Sequence, residues 1–299
     1  MITLNSEKSR YEAIFDDIES FISLEVSKKN AYHNAVSGGF ESIVPRNKSE
    51  QLKWLGAKNV NEVKEFVHEG WESGVKQLTK LSEKITTQLE PSLNFTRNKI
   101  WKDFGEEIDM QRVYSGQLDR AWLGFNKKRL TKKNKTITLY TRLGGNCNIV
   151  SEELFHQGAT CLILTDILEK QDFRVEIVGW SHVTNLYSSK GKSLYTELSI
   201  KKPETPVNLN SLASVVALAG FYRVFYFKAM LSVNEVANNS LGQSVNYLPA
   251  DKIREKEKDT IYFLQTTRNE EEVVTEVKRI LSEVATNELK LQELDFPRW

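Results

Sequence analysis

The side chains that could do chemistry in this chain are few and widely separated. There are two cysteines, Cys147 and Cys161, and four histidines, His33, His68, His156 and His182. His156 and Cys161 fall on one predicted helix, where a separation of five residues turns them about 140° apart, so they do not form a Cys–His nucleophile pair. Cys147 meets His182 only if the fold joins two strand ends. A gap of fourteen positions between the cysteines is neither a zinc spacing nor an extracellular disulfide framework, and predicts a reducing, cytosolic setting. Glu106, Glu107 and Asp109, in DFGEEIDMQRVYSG, could be read as an acid/base pair. The DFG triplet, however, comes without the catalytic loop and glycine lid of a kinase. With no nucleophile, base and orienting group at recognisable spacings, the reading is a non-enzymatic protein with no cofactor and no bound metal.

The stretch TRLGGNCNIVSEE, 141 to 153, joins a strand-like run, TITLY, to a helix-like run, LFHQGATCLILTDIL. It lacks the Gly-Lys-Ser/Thr of a phosphate loop, and its two adjacent glycines do not make a dinucleotide fingerprint. As a turn it is well composed. Glycines take positive φ at low steric cost, asparagines tolerate left-handed backbone, Ser151 is placed to cap the helix, and Glu152 and Glu153 complement its dipole. As a site, Gly144, Gly145, Asn146, Asn148 and Ser151 would form a contact for a protein partner at the carboxyl end of a strand, where open sheets bind ligands. Both readings stand.

A second candidate is the basic block KKRLTKKNK, with Lys127, Lys128, Arg129, Lys132, Lys133 and Lys135. Trp122 and Phe125 precede it, and Trp101 and Tyr114 lie upstream. Cations that neutralise phosphates beside rings that stack on bases are the composition of a single-stranded nucleic-acid site. The plainer reading is a hairpin, WLGFNKKRLTKKNKTITLY, whose lysines face water and protect an edge. The whole chain carries 41 Lys and Arg against 40 Asp and Glu, so any steering field is local.

The elements that must position these residues follow from periodicity. Tyr11, Ile14, Phe15, Ile18, Phe21 and Ile22 predict a helix within 5–29. Asn61 is placed to cap a long helix whose stripe runs from Val63 to Ile85 and stops near Pro91, and Gly70 and Gly74 signal close packing or a break in it. From 136 onward strand-like and helix-like runs alternate: TITLYTRL, 151–170, FRVEIVGWSHV, SLYTELSIKKP, 208–231, TIYFLQTT and EEEVVTEVKRILSEV. That alternation predicts an α/β fold, an open and mostly parallel sheet flanked by helices. The 208–231 run is apolar nearly all round, which predicts burial on more than one side. DKIREKEKD, 251–259, mixes charges and predicts a solvated excursion. The expected organisation is a helical region over 1–95, a β-rich connecting region over 96–135 and a sheet domain over 136–299. A chain of 299 residues buries enough core to need no disulfide or metal staple. Its start lacks a secretory signal pattern and no run is apolar enough to span a membrane, so it is expected to be soluble and cytoplasmic.

Over roughly 136–290 this order of elements resembles the von Willebrand factor A domain, in which FRVEIVGW would pair beside the first strand. In that family the first loop reads Asp-x-Ser-x-Ser and holds magnesium with a Thr and an Asp from two later loops. Here the matching positions are Thr141, Leu143 and Gly145, and the loop after TIYFLQ offers Gln265, Thr266 and Thr267. A hard dication prefers carboxylate oxygens, so the resemblance implies a domain without the family's metal site. EEIDMQRVYSGQLDRAW, with GW at 70–71 and the unit running from GGNCN to VEIVGW, is similar to uncharacterised proteins of tailed bacteriophages, which would place the chain in the host cytoplasm. Two functions are expected: an adaptor that docks a protein partner at Gly144 to Asn148 and the loops after 179 and 265, or a single-stranded nucleic-acid-binding accessory factor of a polymerase or of transcription that uses 122–135.

Overall fold

The computed structural model describes residues 2–5, 10–24, 53–89, 99–102, 107–125, 135–146, 148–184, 192–233, 244–256 and 260–294. In chain order the elements are β1 (Ile2–Asn5), β2 (Arg10–Phe15), α1 (Ile18–Ile22), α2 (Val60–Glu69), α3 (Glu72–Leu89), β3 (Lys99–Lys102), β4 (Glu107–Ile108), α4 (Met110–Tyr114), β5 (Trp122–Phe125), β6 (Thr136–Arg142), α5 (Ser151–Glu169), β7 (Arg174–Thr184) and β8 (Ser193–Lys201). There follow α6 (Leu209–Val216), α7 (Ala219–Phe221), a π-helical turn at Tyr222–Tyr226, α8 (Phe227–Leu231), α9 (Ala250–Lys256), β9 (Ile261–Phe263) and α10 (Glu270–Leu294). The chain forms two compact units, one from residues 1–84 with 135–299 and one from residues 85–134.

The larger unit is a mixed α/β layer structure. Its six strands run in the order β1-β2-β8-β7-β6-β9, and three of the five pairings are parallel: β2 with β8, β6 with β7, and β6 with β9. β6 is buried along its whole length after Thr136, which is why it reads as a nearly continuous apolar run. The β6-to-β7 crossover is α5, a helix buried on almost every side because it packs on β6 and β7 with α6 and α10 against it. The stripe Val273, Val277, Ile280, Leu281 and Val284 of α10 is buried as its spacing predicts. Among the described residues no single helix is long and apolar enough to cross a membrane.

Several expectations are corrected. The N-terminal region is not helical throughout. Arg10–Phe15 is a strand beside β8, with Ala13 and Phe15 buried on one face; the apparent helical stripe runs on from it into the short α1, whose Phe21 packs edge-on to Phe15 at 4.9 Å. The 61–91 helix is two helices. Asn59, not Asn61, caps α2 by accepting from the Glu62 N–H at 2.9 Å, and Gly70, at φ 101°, ends it. Gly74 answers the second question, since a Cβ there would sit 2.1 Å from the Trp71 ring. The 208–231 run is buried as predicted but bends by 58° between α6 and the α7–α8 segment.

The hairpin expected over 122–140 does not form. β5 pairs with β3 and β4 in a separate three-stranded antiparallel sheet, whereas β6 belongs to the large sheet. DKIREKEKD is not a solvated loop either. Its first part is α9, and Lys252 is 7% exposed because acids of β2 and α9 receive its ammonium.

Candidate functional site

β6, β7 and β9 are mutually parallel, so their carboxyl ends share one edge of the sheet. At that edge the Leu143 N–H donates to the Trp180 carbonyl at 2.7 Å, after which the chain leaves the ladder. Gly144 has φ 94° and lies under Tyr222; Gly145 faces Ile149. Both glycines are buried, so they shape the loop and cannot themselves contact a partner. Asn146 and Asn148 are exposed, as is Val150. The loop is tied down by the Ile149 N–H donating to the Asn146 carbonyl at 3.0 Å and the Trp54 indole donating to the Ile149 carbonyl at 2.9 Å. Ser151 does not cap α5. Val150 occupies the cap position with no side-chain hydrogen bond, and Ser151 is the first helical residue, half-buried. Gly179, expected to precede a loop, lies in mid-strand; β7 runs on to Thr184.

At the positions corresponding to the expected metal loops, Thr141 is buried and the Thr267 hydroxyl bonds that of Thr160 at 2.9 Å. The Gln265 N–H donates to Glu276 at 2.8 Å. Among the described residues, no three His, Cys, Asp or Glu side chains gather into a metal-binding group.

Lys127, Lys128, Arg129, Lys132 and Lys133 lie outside the described residues, as do Cys147, His33 and Glu106. Trp122 is half-buried in β5, Phe125 ends that strand, and Lys135 is half-buried just before β6, its carbonyl accepting from the Arg174 N–H at 2.9 Å. Tyr114 is largely exposed. Asp109 is engaged locally, accepting from the Arg112 N–H at 3.3 Å. Cys161 is fully buried, and burial pushes its thiol up to about 12, so it is not a nucleophile at neutral pH. Burial drives the His182 imidazole down to about 4, leaving it neutral, with Nδ1 3.4 Å from the Tyr247 carbonyl.

Two features were invisible to pattern reading. The first is a polar cluster beneath the strand ends. Arg142, 4% exposed, donates to the Ser244 carbonyl at 3.2 Å, the Gln157 amide donates to the Arg142 carbonyl, and the Ser181 and Ser244 hydroxyls lie 3.5 Å apart. Among the described residues no carboxylate pairs with Arg142, and burial pulls its guanidinium below its ordinary value. Among the described residues, Arg142 Nε, Gln157 Oε1 and Thr141 Oγ1 have no hydrogen-bond partner, and the Tyr222 hydroxyl faces the Ser181 and Ser244 hydroxyls. The adjoining cavity, lined by Arg142, Gly144, Gln157 and Tyr222, measures about 10 Å³, the space of one water and no larger ligand.

The second is an open groove of about 560 Å³ between α3, the start of α5 and the α6–α7 junction. Its walls include Trp54, Trp71, Phe155 and His156, with Lys80 and Glu152 among its polar lining. Trp71 meets Phe155 edge-on at 6.3 Å, and an ion pair joins Lys84 to Glu270. A helical-face argument could have found Phe155 and His156, but not the helix that faces them.

On the sheet face that carries Tyr140 and Tyr195, α9 is held by charge. Arg10 pairs with Asp251 at 2.6 Å and with Glu12 at 2.7 Å, Lys252 with Glu12 at 2.9 Å, and Lys256 with Glu197 at 2.9 Å. The Tyr195 hydroxyl donates to Glu197 at 2.7 Å. Apart from Arg10 Nε, which has no partner among the described residues, these charges are paired across the helix and the sheet, which is the behaviour of a clamp.

A mostly parallel sheet flanked by helices, with a tied-down loop at its carboxyl edge, defines a mixed α/β protein. Residues 3–288 match the family model described as a domain of unknown function, DUF7192, and the chain belongs to that family. No curated protein and no solved structure matches it.

Proposed function

We propose that this protein is a non-enzymatic adaptor that binds a protein partner through the loops at the carboxyl edge of its sheet. The observation that carries the reading is the loop after β6. Its glycines are locked under Tyr222 and against Ile149, its backbone is held by Trp54, and it presents Asn146, Asn148 and Val150 to solvent. Contacts that hold a loop's described residues in place lower the entropy it loses on binding. Gln265, exposed at the end of β9, lies on the same edge. The inert Cys161 thiol and the water-sized cavity at the polar cluster support a binding role over a reaction there.

In the same reading the sheet domain is a von Willebrand A-like domain without its metal site, which the parallel pairing of β6 with β7 supports. The protein is phage-encoded and acts in the host cytoplasm. The test is replacement of Asn146 and Asn148 by Ala, followed by affinity capture from host cells with nuclease treatment. Capture of a defined protein should drop at least several-fold while the fold is retained. Capture that is unchanged, or lost on nuclease treatment, overturns the adaptor reading.

A further inference from the structure

The 560 Å³ groove is unassigned by anything above, and its chemistry is specific. Its aromatic walls, Trp54, Trp71 and Phe155, come from three separate parts of the chain. His156 closes one side and is 8% exposed. Its Nδ1 lies 2.9 Å from the Glu152 carbonyl. A carbonyl can only accept, so Nδ1 carries a proton, and in the tautomer singly protonated there Nε2 is the acceptor. Among the described residues Nε2 has no partner. It is not one of the buried polar atoms left without a partner, so it is open to the groove and its water; a ligand N–H or O–H arriving between the aromatic walls would take that water's place.

The charges around the groove argue against an anion. Lys84 is paired with Glu270, and Lys80 is balanced by Glu152 among the lining residues, so no net positive field selects a phosphate. The volume lies in the range of sites that enclose a ring system. The groove is also continuous with the loop after β6, because Trp54 lines it and donates to the Ile149 carbonyl within that loop.

We infer that the groove receives an aromatic side chain bearing an N–H or O–H, a tryptophan or tyrosine of the protein partner, with His156 Nε2 as its hydrogen-bond acceptor. The inference rests on the adaptor reading for the identity of the ligand's carrier, though the ring's recognition is testable without it. Large aromatic residues seated in a pocket are the common anchors of protein interfaces, and a donor requirement separates Trp and Tyr from Phe.

The experiment is a titration of the full-length protein with N-acetyltryptophanamide, N-acetyltyrosinamide and N-acetylphenylalaninamide, followed by NMR of the His156 ring. The first two should give saturable shifts, with phenylalaninamide weaker by about five-fold, the worth of one neutral hydrogen bond of about 1 kcal/mol. His156→Phe should erase that preference. Ser73→Trp, at an exposed helical position lining the groove, should block all three and guards against misfolding of the first variant. Absence of saturable shifts with any amide, or equal affinity for all three in the wild type, overturns the inference. Amide binding combined with partner capture that survives Asn146→Ala and Asn148→Ala would remove the adaptor reading and leave the groove; loss of capture in those variants without amide binding would do the reverse.

Discussion

The ring of Tyr222 fills the space in which a side chain at residue 144 would begin: a Cβ built on Gly144 falls 2.0 Å from its Cε2. Gly144 also has φ 94°, a conformation that costs an alanine about 1 kcal/mol or more. Overpacking adds about 1–3 kcal/mol. Gly144→Ala should therefore lower stability by about 2–4 kcal/mol in urea unfolding, by the sum of those terms. Made in a Tyr222→Ala background, the same change should cost only the backbone part. An equal cost in both backgrounds would show that the ring does not set the loop.

Arg142 should be dispensable for stability. Its guanidinium is buried, donates to a single carbonyl and faces no described carboxylate. A buried charge without a counter-ion is expensive, and apolar replacements of similar size are often neutral or stabilising by about 1–4 kcal/mol. Arg142→Met should unfold at the same or a higher urea midpoint than the wild type. A loss above about 2 kcal/mol would mean that the cation is compensated.

Legibility in the sequence followed the range of the interactions involved. The α10 face is legible because it is written within its own segment as periodicity, whereas the β6–β7 pairing follows only from the resemblance to the von Willebrand A domain, and α5, buried on almost every side, reads as an apolar run with no single face. Arg10–Phe15 reads as helix because Tyr11, Ile14 and Phe15 of β2 and Ile18 and Ile22 of α1 happen to continue one three-and-four spacing across two elements; the break is at Asp17, whose carboxylate accepts from the Ser20 N–H at 2.7 Å and starts α1 there. α9 was misread for the opposite reason. A mixed-charge run normally faces water, and only the fold brings Arg10, Glu12 and Glu197 to its Asp251, Lys252 and Lys256. The loop after β6 was legible as a turn and as exposed amides. That Gly144 makes room for the Tyr222 ring is not legible there, because Tyr222 reaches it from a segment 78 residues further along the chain.

The Lys252–Glu12 pair should behave as a buried contact. The two side chains are 9% and 14% exposed and lie 2.9 Å apart. In a double-mutant cycle with Lys252→Met and Glu12→Gln, the coupling energy should be about 1–3 kcal/mol and should survive 0.5 M salt, taken as roughly the point where the Debye length nears the contact distance. The exposed Lys76–Glu72 pair, also at short distance, should show no measurable coupling. Loss of the Lys252 coupling in salt would mean that α9 is solvated at that contact, and the charge clamp would fall with it.

His182 supplies a pH dependence with a defined sign. Burial is the main cause that takes its imidazole from 6.5 to about 4; the Tyr247 carbonyl and Asp251 oppose the change, and Arg10 reinforces it. As pH falls through 6.5 the unfolded chain binds a proton there and the folded chain does not, so stability present above that pH drains away until about 4, where the folded state also protonates. Between pH 7 and pH 5 the loss from this residue should be about 2 kcal/mol. His182→Gln removes the titrating group. Urea unfolding at the two pH values should show a smaller drop for the variant by that amount, and equal drops would mean that His182 is protonated in the folded protein or reached by water.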